Sequence, residues 1–244
     1  MGQQIKPERL DRLLSRLGYC SRREVRTLLR QGLIEVDGNA LASPSAKVKP
    51  TSVRIQGAPL DHPEGLTLIF HKPVGCICSR KEEGRLVYDY LPEQWMLREP
   101  KLSCVGRLDM DTSGLLILTD DGQLNHRLTA PNRKVPKHYQ VRLDSPLQGN
   151  EAEIFASGTL MLDAEETPCL PATLNVLGTH EAELIIAEGR YHQVRRMFAA
   201  IGNHVVTLKR SRLGSLSLDG LSPEEFRVID KEVLLDNVFG ADQA

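Results

Sequence analysis

Between Gly106 and Gly122 the chain reads Gly-Arg-Leu-Asp-Met-Asp-Thr-Ser-Gly-Leu-Leu-Ile-Leu-Thr-Asp-Asp-Gly, and no other stretch restricts the fold as much. Residues 115–118 form an unbroken apolar run of strand length, bounded by Gly114 and by Asp120-Asp121-Gly122. Such a run predicts a buried strand. Arg107 and Asp109, just before it, are then expected where the sheet meets a cleft, with the carboxylate on a rigid element. Asp, Thr, Ser and Gly are also ordinary turn residues, so spacing alone leaves open a purely structural reading of Asp109 and Thr112.

The 244 residues, 41% of them hydrophobic, suit a small domain plus a medium one with a sizeable core. The net charge of -1 conceals an asymmetry: residues 1–60 hold 11 Lys and Arg against 5 Asp and Glu, and the remainder carries 20 basic against 27 acidic groups. The basic end is expected to face a polyanion. Leu10, Leu13, Leu14 and Leu17 recur at helical spacing up to Gly18. Ser21-Arg22-Arg23-Glu24 has the form of a capping box for a second helix, whose inner stripe is Val25, Leu28 and Leu29. Arg22, Arg23, Arg26 and Arg30 fall within roughly 100° of arc, centred roughly 120° from that stripe. Residues 33–36 predict a strand turned by Asp37-Gly38 into Asn39-Ala40-Leu41. Two prolines and a glycine in residues 58–65 suggest a hinge. The expected division is therefore 1–60, a linker at 61–65, and 66–244.

Beyond the linker, residues 66–71, 115–119, 139–143, 182–187 and 204–208 have strand character, and 123–129, 150–157 and 192–201 have helical character. No repeat and no regular βαβ alternation is present, so the expectation is α+β with a mixed, largely antiparallel sheet. In the helix at 192–201, Val194, Met197, Phe198 and Ile201 make the apolar stripe. Arg195 lies at its edge and Arg196 nearly opposite, so Arg195 is placed to reach a buried carboxylate and Arg196 to face solvent or RNA. From Gly189 to Gly214 there are six basic residues, Arg190, Arg195, Arg196, Lys209, Arg210 and Arg212, and no acidic one, which predicts a second RNA-facing patch. The last thirty residues carry 7 acidic and 2 basic groups, and the final few are expected to fray.

No apolar run approaches the roughly 20 residues of a membrane helix, and no signal pattern opens the chain. Five cysteines without a Cys-x-x-Cys pair fit a reducing cytosol, which predicts a cytoplasmic protein with neither a disulfide framework nor a zinc site. The sequence offers no metal cluster, dinucleotide fingerprint or phosphate loop, so no cofactor is expected. His192 and His204 could contact RNA but read first as surface or locally bonded.

The string Gly106-Arg-Leu-Asp109, two residues, Thr112-Ser-Gly-Leu-Leu, then Leu-Thr and Asp-Gly resembles the catalytic signature of the pseudouridine synthases, in the branch that modifies ribosomal RNA. That resemblance implies Asp109 as the catalytic residue. Lys137-His138-Tyr139 resembles the family's Lys-x-Tyr segment, implying that Tyr139 lies against the target base; His138 departs from the Thr often found there. Gly189-Arg-Tyr-His-Gln-Val-Arg195-Arg-Met resembles the segment whose basic residue, here Arg195, pairs with the catalytic Asp. Arg9-Leu-Asp-Arg12 and residues 32–38 resemble the S4-type RNA-binding module, whose helices and turn engage structured RNA. An arginine cluster suits that task, because guanidinium groups bind phosphate without reading sequence.

The implied reaction breaks the bond from ribose C1′ to N1, turns the uracil and joins C5 to C1′. Burial alone would neutralise Asp109, and a close Arg195 would oppose that. Arg107 could fill the gap left by the unstacked base or make a salt bridge; Arg190 and Arg196 join the RNA-facing group. Large-subunit members tend to have Asn in place of Tyr191-His192, so the expected substrate is 16S RNA of the small subunit, free or in an assembly intermediate, with the protein acting as a monomer. Alternatives are a 23S enzyme, a non-catalytic RNA-binding assembly factor, and a glycosidase using Asp109 and Asp111. The last leaves Arg195 and the basic N-terminal region unexplained.

Overall fold

The structure, a computed structural model, describes residues 6–40 and 43–240. The chain divides into two compact units. One takes the residues up to Thr67 together with Tyr88–Ser103 and Thr119–Gly122; the other takes Leu68–Val87, Cys104–Leu118 and the chain from Gln123 onward.

The first unit opens with β1 (Glu8–Arg9), α1 (Leu10–Arg16) and α2 (Val25–Arg30), followed by β2 (Ile34–Val36), β3 (Asn39–Ala40), β4 (Lys47–Val48), β5 (Val53–Ile55) and β6 (Ala58–Pro59). Leu10, Leu13, Leu14 and Leu17 are fully buried and pack with Val25, Ile34, Val48 and Val53, which is the stripe that the spacing predicts. Removing one such side chain to Ala would cost about 2 to 5 kcal/mol. Glu24 accepts the Ser21 backbone N–H at 2.7 Å, half of a capping box. Regular helix nevertheless begins only at Val25, so Arg22 and Arg23 sit in the turn before it. Asp37 (φ 51°) and Gly38 (φ 76°) both adopt the left-handed conformation that a tight two-residue hairpin requires. They join β2 to β3 in antiparallel register, while Leu41 lies outside the described residues. Residues 61 and 62 are tied down: the Trp95 indole donates to the Asp61 carboxylate at 2.5 Å, and the buried Arg98 guanidinium donates to the carbonyls of Asp61 and His62 and to the Asp120 carboxylate.

The elements that follow are β7 (Thr67–Lys72), α3 (Glu93–Met96), β8 (Ser103–Val105), β9 (Thr112–Thr119), α4 (Gly122–Thr129), β10 (Lys137–Leu143), α5 (Glu151–Ala156), β11 (Thr173–Gly178), β12 (Glu181–Ile186), α6 (Gln193–Ala200), β13 (Val205–Leu213), β14 (Leu216–Ser217), β15 (Phe226–Val228) and α7 (Lys231–Phe239). The main sheet runs β11-β12-β10-β13-β9-β7-β15, with β14 beside β13 and β8 beside β9. Pairing is antiparallel for β11–β12, β12–β10, β10–β13 and β7–β15, and parallel for β13–β9. The fold is thus α+β with a mixed, mainly antiparallel sheet.

Leu115, Leu116, Ile117 and Leu118 are all fully buried, so both faces of β9 are covered and its apolar run is uninterrupted for that reason. Leu115 and Ile117 pack with Leu124 and Leu128 of α4 and with Leu234, Leu235 and Val238 of α7. Gly114 has a specific steric duty. A Cβ there would lie 2.3 Å from the Arg210 carbonyl oxygen and 2.7 Å from its nitrogen, so only glycine lets β9 and β13 approach in parallel.

The sequence pattern did not indicate β8, β11, β14, β15 or α7. β8, β14 and β15 have two or three residues, too few for an alternation to register. β11 ends the sheet and leaves Val176 and Leu177 exposed, which erases the inward-outward contrast. The expected fraying of the last few residues concerns positions 241–244, outside the described residues.

Candidate active site

In the second unit, the turn before β9, the strands β10 and β13, and the loop from β12 to α6 enclose a cavity of about 690 Å³. Asp109, Arg107, Thr112, Lys137, Tyr139, Arg190, His192 and Arg210 are among its lining residues. The volume suits a nucleoside-sized ligand.

Asp109 owes its position to backbone bonding. Its carbonyl accepts the Thr112 N–H at 3.0 Å, closing the turn into β9, and accepts the Lys72 ammonium at 3.0 Å. Lys72 is fully buried at the end of β7 and also donates to the carbonyls of Pro73 and Thr112 at 3.0 and 2.9 Å. One ammonium therefore ties the 109–112 turn to the next strand. Burial holds the Lys72 pKa below the usual lysine value, opposed by Cys76, Cys78, Asp109 and Asp111. The Asp109 side chain is 30% exposed, and its Oδ1 lies 3.3 Å from His192 Nε2. His192, at the head of α6, has a left-handed backbone (φ 49°), and its ring stacks on Tyr191 at 3.8 Å.

Tyr139 is nearly buried on β10, paired across the sheet with Leu184 and Arg210. Two positions away, Lys137 is half-buried, and its ammonium donates to the Val135 carbonyl at 3.1 Å. Burial first, and the Arg210 charge second, lower its pKa to about 8. Arg210 is 4% exposed; its Nε donates to the Leu115 carbonyl at 2.8 Å, and its buried Nη2 has no hydrogen-bond partner among the described residues.

Arg195 departs from the expected pairing. Its Nη2 bridges to Asp111 Oδ2 at 2.9 Å and its Nη1 donates to the Val205 carbonyl at 2.8 Å, so its carboxylate partner is Asp111 rather than Asp109. The reason is geometric: Arg195 does lie at the edge of the buried Val194–Met197–Phe198 stripe, and the 109–112 turn presents Asp111 to that edge while Asp109 faces the cavity. Arg196, expected to face solvent or RNA, donates instead to Glu165 at 2.8 Å and to the carbonyls of Asp163 and Tyr191. Arg190 is similarly engaged, with Glu188 and with the carbonyls of Thr167 and Pro168. Both guanidinium groups are spent holding the 163–168 segment. Arg107 is exposed and lines the cavity. In the first unit Arg22, Arg23, Arg26 and Arg30 are exposed, and none forms an ion pair among the described residues.

The cavity lining thus holds two carboxylates, Asp109 and Glu188, two phenols, Tyr139 and Tyr191, and six basic groups, Arg107, Lys134, Lys137, Arg190, His192 and Arg210. Lys72, His192 and Arg210 were not singled out for these roles from the sequence. A faint signal existed for each: Lys72 closes an apolar strand, His192 sits within the Gly-Arg-Tyr-His-Gln string, and Arg210 shares the strand face of Leu208. Among the described residues no group of three His, Cys, Asp or Glu side chains is arranged to hold a metal ion.

Known proteins resemble this chain along most of its length. A family model described as RNA pseudouridylate synthase matches residues 67–200, and one for the S4 domain matches residues 8–53. The ribosomal small subunit pseudouridine synthase A of Escherichia coli (strain K12) is 40% identical over 230 residues, covering 92% of this chain and 97% of that protein. An uncharacterized RNA pseudouridine synthase of Bacillus subtilis (strain 168) is 39% identical over 233 residues, covering 93% and 96%. A crystal structure of a pseudouridylate synthase superposes with a TM-score of 0.66 at 33% identity, covering 95% of this chain and 99% of that one. With an S4 domain at 8–53 followed by a synthase region at 67–200, the chain belongs to the RNA pseudouridylate synthase family.

Proposed function

We propose that this protein isomerises a uridine of 16S ribosomal RNA to pseudouridine, with Asp109 as the reacting carboxylate. The observation that carries this reading is Asp109 itself: a partly exposed carboxylate, anchored through its own backbone, on the wall of a nucleoside-sized cavity that also holds Tyr139, where the other lining carboxylate, Glu188, is taken up by Arg190, Gln193 and the Leu170 N–H. An ionised carboxylate beside the sugar serves whether it adds to C1′, adds to the ring or removes the 2′ proton. Tyr139 offers a flat face to the base and a hydroxyl for the C5 proton. Arg195 acts as a positioning residue, because its bridge to Asp111 steadies the turn that carries Asp109.

Unstacking the target costs roughly a few kcal/mol, which RNA-backbone contacts must offset. Arg22, Arg23, Arg26 and Arg30 supply such contacts in this reading, within an S4-type module at 1–60 followed by a linker at 61–65 and a catalytic region at 66–244. Arg107 contacts RNA beside the cavity, and Arg190 and Arg196 contribute indirectly by fixing the loop that leads to His192. The substrate is the 16S RNA or an assembly intermediate of the small subunit, and the protein works as a cytoplasmic monomer.

Release of tritium from C5-labelled uridine in RNA tests the chemistry. Mapping pseudouridines in ribosomal RNA from cells lacking the protein tests the substrate. Loss of one 16S site is expected. Loss of a 23S site would move the substrate to the large subunit, and a full pseudouridine complement would leave the assembly-factor reading.

A further inference from the structure

Among the described residues, Arg210 carries a buried charge that no ion pair accounts for. The residue is part of the cavity lining while only 4% of it is exposed, and among the described residues no carboxylate pairs with it. Nε donates to the Leu115 carbonyl, which fixes the side chain, and Nη2 is buried with no hydrogen-bond partner among the described residues. Burying an unpaired cation costs stability, and proteins carry such a cost chiefly where a site uses the charge. The other nearby carboxylate, Glu188, is engaged by Gln193, by Arg190 and by the Leu170 backbone N–H. Lys137 lies close enough for Arg210 to depress its pKa, so the wall beside Tyr139 is doubly cationic.

We propose that Arg210, with Lys137 beside it, stabilises the negative charge that the uracil ring acquires while it is detached from the ribose. The inference rests on the isomerase reading above. When the C1′–N1 bond breaks, its electron pair stays on the ring and spreads over N1 and the two carbonyl oxygens. C5 then bonds to C1′ and gives up its proton to a base in the site, N1 takes up a proton, and nothing is consumed. If the carboxylate instead adds to the ring first, the ring again carries the charge. A fixed cation in the cavity wall stabilises such an anion through its charge, without having to reorganise. Arg210 is therefore assigned to the leaving base, whereas Asp109 serves the sugar or ring.

The test uses leaving-group chemistry. Fluorine at C5 withdraws electrons and stabilises the uracil anion, so an enzyme lacking its own stabilising charge should depend more on that help. Single-turnover loss of the original nucleoside is measured at saturating RNA for uridine and 5-fluorouridine substrates, with the full-length protein and its Arg210→Gln and Arg210→Lys variants. Arg210→Gln is expected to slow uridine conversion by about 100-fold, in the range seen when one stabilising donor is removed from such a site. It should slow the 5-fluorouridine substrate less, so that the ratio of the two rates rises, with Arg210→Lys in between. A ratio unchanged in both variants would overturn the proposal, because misfolding or loss of the Leu115 tie lowers both rates alike. If Arg210→Gln does not fold, the ratio for Arg210→Lys decides alone. Turnover by an Asp109→Asn variant would refute the catalytic assignment of Asp109 instead, which keeps the two failures distinct.

Discussion

Two groups of basic residues, one in each unit, carry the same charge in opposite surroundings. Arg22, Arg23, Arg26 and Arg30 stand in water on one side of a short helix and its leading turn, and among the described residues none has an ion-pair partner. Arg210 and Lys72 of the second unit are buried and pinned by backbone carbonyls, and Arg190, Arg195 and Arg196 are each held by a carboxylate and at least one carbonyl. An exposed cation binds a polyanion through long-range attraction and counterion release, and is tolerant of position. A buried one acts over a few ångströms, and its effect depends on where it is held. On the proposed function, grip and chemistry are thus separated by the solvation of the charges.

The largest effect expected is on the buried side. Asp109→Asn keeps the shape and removes the charge, and should abolish isomerisation while thermal unfolding and RNA affinity stay near those of the parent; measurable product from the Asn variant would dissolve the distinction.

Next comes the turn that carries Asp109. Arg195→Met and Asp111→Asn break the same bridge and should each lower single-turnover rates by about 100-fold, since a displacement of roughly 1 Å can cost that much. The double variant should be little worse than either single one. If Arg195→Met proves far worse than Asp111→Asn, then Arg195 reaches Asp109 itself when RNA is bound.

On the exposed side, replacing Arg22, Arg23, Arg26 and Arg30 together by Gln should weaken RNA binding and flatten its salt dependence, by roughly 0.7 to 0.9 in the log-log slope for each phosphate that is no longer neutralised. Rates at saturating RNA should hold. A large rate loss with an unchanged salt slope would show that these arginines orient the target or support the fold.

The smallest effect concerns Lys137, whose pKa is lowered to about 8 in the folded protein from an ordinary 10.5. Between those values the unfolded chain binds more protons than the folded one, so stability gains from this residue as pH rises through 8 and the gain is complete above 10.5. Denaturant midpoints of the parent and of Lys137→Met, compared from pH 7 to 11, should converge or cross in the parent's favour as pH rises. Parallel curves would mean that Lys137 is not desolvated.

Much of the molecule was legible in the residues. Leu10, Leu13, Leu14 and Leu17 announce α1, the unbroken run at 115–118 announces β9, and Asp37-Gly38 announces a hairpin, because each pattern has a period or a backbone demand that few structures satisfy. The signature around Asp109 pointed to a residue that lies on the wall of the cavity. Elements without such a pattern, such as the two-residue β14 and the edge strand β11, left no trace in it.

What the amino-acid sequence determined by itself was local: which stretches coil, which extend, where the chain turns, and which carboxylate belongs to the signature. Tertiary structure decided the partners. Residues 109 and 111 are both aspartates in one turn, and only the packing of α6 against that turn gives Arg195 to Asp111 and leaves Asp109 to His192 and the cavity. Arg196 and Arg210 read alike as members of a basic run, yet one is tied to Glu165 and the other is buried in the cavity wall. Charge is written in the residue type, but its solvation and its neighbours depend on strands up to a hundred residues apart, as with Arg210 and Leu115.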